Sequence, residues 1–217
     1  MQPCGGCRGT AREADSRTRD GVVYRLVPAF RALTFQSAGY GRSVGTIVRM
    51  IQVIETDFPE ARIFIPDVFP DERGYFKETY ARDKYEAAGL REAWLQDSVS
   101  ASKRNVVRGM HYDMRMAKLV QCLSGRIFDV IVDVRPGSST FHRWQGFELT
   151  SDNHRQLYVP RGFAHGFLAL EDCIVHYKMT EQYDPAHEGV LSWKDPSIGI
   201  RWPLQGKPIL SNKDANA

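Results

Sequence analysis

Residues 106–120 read VVRGMHYDMRMAKLV. The apolar runs at either end suit two β-strands, and the polar centre suits the turn that joins them. Yet three groups able to do chemistry, Arg108, His111 and Lys118, fall inside this short span. Either they meet a ligand or they point into water, and the surrounding sequence has to separate these readings. Working outward, the same texture recurs to the end of the chain. Strand-like pieces are ARIFIPDVF (61–69), GYFKETY (74–80), AWLQDSVSAS (93–102), RIFDVIVDVR (126–135), WQGFELT (144–150), RQLYVP (155–160), HGFLAL (165–170) and CIVHYKMTEQY (173–183). Turn sequences such as RPGSS and TSDN separate them, and one helix is expected near 81–90, ended by Gly89. Many short strands at this spacing predict an all-β sandwich or barrel, in the form of a jelly roll with a ligand in its mouth.

The strand texture begins at Met50, so the functional domain is expected to cover residues 50–217. Residues 1–49 hold eight arginines, no lysine and three acids (Glu13, Asp15, Asp20), a net charge of +5. The whole chain carries +3, so the remainder carries 3 − 5 = −2. Nothing in that slightly acidic body suggests a nucleic-acid surface, and no nucleic-acid partner is expected. The basic stretch lacks the apolar core of a secretory signal, and its acids argue against a transit peptide. It is read as an N-terminal extension without a fold, or as upstream sequence outside the working protein. No apolar run approaches the roughly 18 residues of a spanning helix, so no membrane role is expected. Cys122 and Cys173 sit in apolar strands and read as core residues. Cys4 and Cys7 form a C-x-x-C with no second pair or nearby histidine to complete a zinc site. A reducing, cytoplasmic setting is expected.

Period-2 alternation assigns faces. In CIVHYKMTEQY, Val175, Tyr177, Met179, Glu181 and Tyr183 share one face, expected to point inward. Ile174, His176, Lys178, Thr180 and Gln182 share the other, expected to be solvated, with His176 a surface residue. In RIFDVIVDVR, Phe128, Val130, Val132 and Val134 line one face as core.

A lone strand histidine is most often structural, but His111 has company in Arg108, Lys118 and the segment VPRGFAHGFLAL around His165. An imidazole takes up a proton near neutral pH, and a nearby ammonium stabilises a developing oxyanion. That pairing suits proton abstraction beside a carbonyl. No G-x-S-x-G elbow supports acyl transfer. A cupin-type metal site is the competing reading, drawing on His111, Asp113 and His165. The usual His-x-His pair is missing, because Tyr112 and Asp113 follow His111, and no glutamate occurs between His111 and Glu148.

In order along the chain, FPDERGYFKETY, QDS, VVRGMHY, AKLV, GRIFDVIVDVRPGSSTF, RQLYVPRGFAHGF, YDPAHEG and ILSNKDA resemble the dTDP-4-dehydrorhamnose 3,5-epimerase family, cupin-fold isomerases of nucleotide-sugar biosynthesis. The likeness runs from about Met50 to the last residues. It implies an all-β, cupin-type jelly-roll barrel with a short helix or two. It also implies epimerisation at C3 and C5 of a nucleotide-linked 4-keto-6-deoxyhexose through an enolate, with no cofactor and no metal.

By the same resemblance, His111 matches the base, Asp214 its carboxylate partner, Tyr177 the acid on the opposite face, and Lys118 the group near the C4 oxygen. Arg73, Glu78, Gln96, Ser98, Arg108, His165, Glu188 and Lys213 match substrate-binding positions, and Tyr183 the aromatic that stacks on the base. The family pairs two chains, and an N-terminal segment of one helps build the other's site. That implies a homodimer, with Arg73 and Glu78 able to act across its interface. Taken singly, Arg73 can be a solvated turn residue, Glu188 an exposed acid, and Asp214 part of a loose terminus. Two features depart from the family pattern. Its QDN reads Gln96-Asp97-Ser98 here, and the loop between His111 and Lys118 is a few residues shorter. Alternatives are therefore a C3-only or C5-only epimerase, a 3,4-ketoisomerase, an enzyme of GDP-linked deoxyheptoses, or a non-catalytic sugar-nucleotide binder.

Overall fold

A computed structural model of the chain describes residues 51–217 and the backbone of a two-residue strand, β1 (Arg25–Leu26). The extension, the Cys4/Cys7 pair and the domain start at Met50 otherwise lie outside the described residues. The remaining strands are β2 (Gln52–Glu55), β3 (Arg62–Ile65), β4 (Val68–Asp71), β5 (Gly74–Lys77), β6 (Gln96–Ser102), β7 (Val107–Tyr112), β8 (Lys118–Ser124), β9 (Arg126–Asp133), β10 (Trp144–Thr150), β11 (Gln156–Val159), β12 (Phe163–Ala169), β13 (Cys173–Met179) and β14 (Gly189–Val190). Two short helices, α1 (Arg82–Ala87) and α2 (Asn212–Ala215), complete the described elements. No helix among the described residues is long and apolar enough to cross a membrane.

The strands form a seven-stranded sheet, ordered β1-β2-β3-β11-β8-β13-β6, and a five-stranded sheet, ordered β10-β9-β12-β7-β14. Every neighbouring pair is antiparallel, and sequence neighbours are often not sheet neighbours. This is the jelly-roll arrangement expected from the strand spacing. A third, two-stranded sheet is the hairpin β4–β5, which pairs only with itself.

Side chains from the inner faces of both large sheets make the main core. Ile63, Val120, Cys122, Leu157 and Val175 come from one sheet; Ile127, Ile131, Phe147, Leu149 and Phe167 come from the other. Burying side chains of this size contributes about 1.5–3 kcal/mol each. Two smaller cores cover the outer faces. On the five-stranded sheet, Val130, Val132 and Ala164 pack under Leu191, Ile198 and Trp202 of the C-terminal segment. On the seven-stranded sheet, Phe64 and Leu119 pack under Tyr85 of α1 and Leu90.

Four expectations need correcting. ARIFIPDVF is not one strand: Pro66 has no N–H to give a ladder, and the chain breaks there into β3 and β4. CIVHYKMTEQY stays extended only to Met179, so its alternation ends early. Thr180, expected on the solvated face, is buried and its hydroxyl accepts from the Ala117 N–H at 2.9 Å. His176, expected at the surface, is half-buried beside Gln121, 3.1 Å from Nδ1. The face of Phe128, Val130, Val132 and Val134 is core as expected, but it is the outer face. The opposite face of β9, Ile127, Asp129 and Ile131, is buried too.

Candidate active site

Along each strand the inner face passes from hydrocarbon to polar groups. On β13, Val175 lies in the core, Tyr177 packs at its margin and Met179 reaches the cavity. Register carries this gradient across the sheet: Tyr177 pairs with Ser98 and Val120, and Met179 with Gln96 and Lys118. Gln96, Ser98, Lys118 and Tyr177 therefore line one wall of a cavity of about 690 Å³. Arg108 and His111 of β7 and His165 of β12, from the five-stranded sheet, also line it.

Arg108 and His111 are three residues apart, so a regular strand would send them to opposite faces. Here the register of β7 on β12 shifts between the pairs His111–His165 and Arg108–Phe167. Gly109 sits in the shift with φ +117°, and a Cβ there would meet the Gly166 Cα at 2.6 Å. Two glycines thus allow the backbones to approach and both side chains to line the cavity.

His111 lies between two carboxylates. Its Nε2 is 2.7 Å from Asp214 Oδ1, and its Nδ1 is 3.4 Å from Glu188 Oε1. Only the Asp214 contact is a hydrogen bond, so Nε2 donates to that buried carboxylate, while Nδ1 makes no hydrogen bond of its own among the described residues and faces Glu188 and the cavity. The C-terminal segment returns Asp214 to this place. Ile209 bridges in parallel to Val106, with Ile209 N–H donating to Asn105 and Val107 N–H donating to Ile209. The terminus is therefore tied to the start of β7, and α2 carries Asp214 under the imidazole. Glu188 also accepts from the Tyr183 hydroxyl at 2.9 Å and from Lys213. Burial raises the Glu188 carboxyl, but those two donors outweigh it and hold it below its ordinary range.

Lys118 opens β8, and among the described residues its ammonium has no hydrogen-bonded partner. Burial holds it below the ordinary lysine range, while Glu188, Asp129 and Asp113 pull the other way. Burial likewise pushes the Tyr177 phenol upward, although a hydrogen bond of 3.0 Å with Ser100 partly offsets it. Tyr177 is therefore a protonated acid at neutral pH. His165 stands edge-on to Tyr177, with ring centroids 6.2 Å apart. Its Nε2 donates to both oxygens of Asp129, at 2.9 and 3.0 Å.

Of the residues expected at the site, His111, Tyr177, Asp214, Lys118, Gln96, Ser98, Arg108, His165, Tyr183 and Glu188 all line this cavity. Lys213 stands at its rim through Glu188. Gln96 holds two neighbours, donating to Ser98 at 3.0 Å and accepting from the Tyr183 N–H at 2.9 Å. Arg108 donates to Ser102 at 2.9 Å and to the Ala101 carbonyl. Arg73 and Glu78 do not reach the cavity of their own chain. Arg73 caps the β4–β5 turn against Asp71, and Glu78 pairs with Lys84. The candidate metal set does not converge either, since Asp113 grips Arg115 at 2.7 and 3.0 Å, His111 sits between Asp214 and Glu188, and His165 is bound to Asp129.

Asp129 was missed by the sequence reading, although an acid between Ile127 and Ile131 on the face opposite Val130 was its signal. It is wholly buried, and burial raises its carboxyl despite His165. Ser211 was also missed. The spacing Ser211-x-x-Asp214 is that of a helix-capping box.

The family model described as dTDP-4-dehydrorhamnose 3,5-epimerase matches residues 55–217. The enzyme of that name from Salmonella typhimurium is 45% identical over 173 residues, which cover 77% of this chain and 94% of the relative. A solved structure of dTDP-6-deoxy-D-glucose-3,5-epimerase from Legionella pneumophila, in complex with dTDP-4-keto-L-rhamnose, superposes with a TM-score of 0.75 and 41% identity. It covers 77% of this chain and 91% of that one. A 3'-monoepimerase from Streptomyces bikiniensis, in complex with dTDP-quinovose, superposes at 0.69 with 34% identity, covering 72% and 82%.

Proposed function

The chain belongs to the dTDP-4-dehydrorhamnose 3,5-epimerase family, and from that membership and the cavity we propose that it inverts C3 and C5 of a dTDP-linked 4-keto-6-deoxyhexose. One observation carries the mechanism: His111 and Tyr177 line one cavity from two facing sheets. A sugar ring between them meets a base on one face and an acid on the other.

In this reading Nδ1 of neutral His111 removes a proton from the carbon beside the C4 ketone. The electron pair moves onto the C4 oxygen as an enolate, and the Lys118 ammonium stabilises that charge. The imidazolium formed is held at Nε2 by Asp214, which also fixes the tautomer beforehand. Tyr177 then gives its proton to the same carbon from the opposite face, and the ketone reforms. The phenolate and the imidazolium exchange protons with solvent before the second carbon reacts. Acid–base groups of this kind typically contribute about 10²–10⁴-fold each. Every step uses side chains of this chain and needs no cofactor.

Gln96, Ser98, Arg108, His165, Glu188 and Lys213 bind substrate in this proposal, the cations facing the diphosphate. Tyr183, more than half exposed at the rim, stacks on the base. The enzyme works as a homodimer in the cytoplasm, where Arg73 and Glu78 serve the partner's cavity. Support for pairing comes from the hairpin, which carries the exposed Phe69, Tyr75 and Phe76 and leaves the Arg73 side chain 85% exposed.

The test is incubation in heavy water with a panel of dTDP- and GDP-linked 4-keto sugars, read by mass and NMR. Deuterium at C3 and C5 of the dTDP sugar is expected. Label at one carbon alone marks a mono-epimerase, and no uptake with any sugar refutes the proposal. His111→Asn should abolish uptake and leave dTDP binding intact.

A further inference from the structure

We propose that Ser211 is a positioning residue for the base, acting through Asp214. The inference rests on the role of His111 given above. Asp214 is 3% exposed and occupies the third position of α2, whose four residues are too few to hold a helix unaided. Ser211 is the N-cap of that helix. Its Oγ accepts from the Asp214 N–H at 3.1 Å and donates to Asp214 Oδ2 at 2.8 Å. A hydroxyl has one proton to give and lone pairs to receive, so both bonds form together.

The consequence is a fixed carboxylate plane. Oδ2 is taken by Ser211, and Oδ1 is turned to His111 Nε2 at 2.7 Å. Rotation about the carboxyl bond would break the serine bond and swing the acceptor away from the imidazole. One serine therefore starts the helix that delivers Asp214 and aims the oxygen that selects the Nε2–H tautomer. Only that tautomer leaves Nδ1 able to take a proton.

The two roles separate by substitution. Glycine starts a helix nearly as well as serine and lacks the hydroxyl, whereas alanine lacks both; threonine keeps both. Ser211→Ala and Ser211→Gly are expected to lower kcat about ten- to a hundredfold, with KM within about threefold. Both should also move the ¹⁵N signals of the His111 ring, in the unliganded protein, from one tautomer toward a mixture. Ser211→Thr should keep kcat within about threefold and the signals in place. Wild-type kcat in Ser211→Gly, or unmoved ring signals in both hydroxyl-free variants, overturns the proposal. The NMR measurement needs no substrate, so its outcome is independent of whether the epimerase reading holds.

Discussion

Replacing Lys118 by methionine should separate what the ammonium does for the reaction from what it costs the fold. Methionine keeps most of the length and volume of the side chain and removes only the charge. The ammonium faces the cavity without a hydrogen-bonded partner among the described residues, and burial holds it below the ordinary lysine value of 10.5. Loss of a group that holds a developing oxyanion typically lowers kcat about 10²–10³-fold, equivalent to about 2.7–4 kcal/mol. The same change should stabilise the protein at pH 7 by about 1 kcal/mol. For a domain of this size that raises Tm by about 2–4 °C. The pH dependence has a definite sign. Below the depressed native value, folded and unfolded chains both keep the proton, and the full cost of burying the cation is present. Between that value and 10.5 the unfolded chain binds more protons, so wild-type stability rises with pH. The advantage of Lys118→Met must therefore shrink as pH rises through this window. Circular-dichroism melts at pH 7 and pH 10, together with deuterium uptake at pH 7, make the measurement. Wild-type uptake would refute the enolate role, and a variant less stable than wild type at pH 7 would refute the desolvation argument.

Tyr177→Phe removes the proposed acid and keeps the ring. Net inversion should fall about 10²–10⁴-fold, while His111 still exchanges the C–H proton with solvent on its own face; mass and stereochemical analysis of one product pool reads both, and undiminished inversion would remove Tyr177 from its role. Arg73→Ala and His111→Asn chains should each be nearly inactive alone. Mixed after dissociation and reassociation, they should recover up to about a quarter of wild-type activity, since one site in each mixed dimer is intact and half the dimers are mixed. Absence of recovery in a verified mixed dimer would show that the hairpin serves its own cavity.

Local sequence made the fold legible because strand alternation and turn chemistry are properties of short segments. The β10 segment WQGFELT has the same bounds in both readings. Local patterning also set the inward parity of Tyr177, which depends only on its distance from Val175. It failed where the chain stopped being regular. Thr180 follows the end of β13, so parity no longer governs it. Arg108 and His111 should point apart by the period-2 rule, and a register shift at Gly109 against Gly166 brings them together. Such shifts depend on the partner strand, which a single segment does not contain.

The sequence by itself determined the class of fold, the family and the chemical types at the site, because ordered motifs and residue identity are one-dimensional facts. Tertiary structure alone decided that β9 is buried on both sides, so that Asp129 faces His165 instead of water. It turned the pairing of Asp214 with His111, which the family resemblance implies across 103 positions, into a contact of 2.7 Å. It alone left Arg73 and Glu78 outside the cavity of their own chain. The physical reason is the same in each case: hydrogen bonding and desolvation act over a few ångströms, and only folding sets which groups come that close.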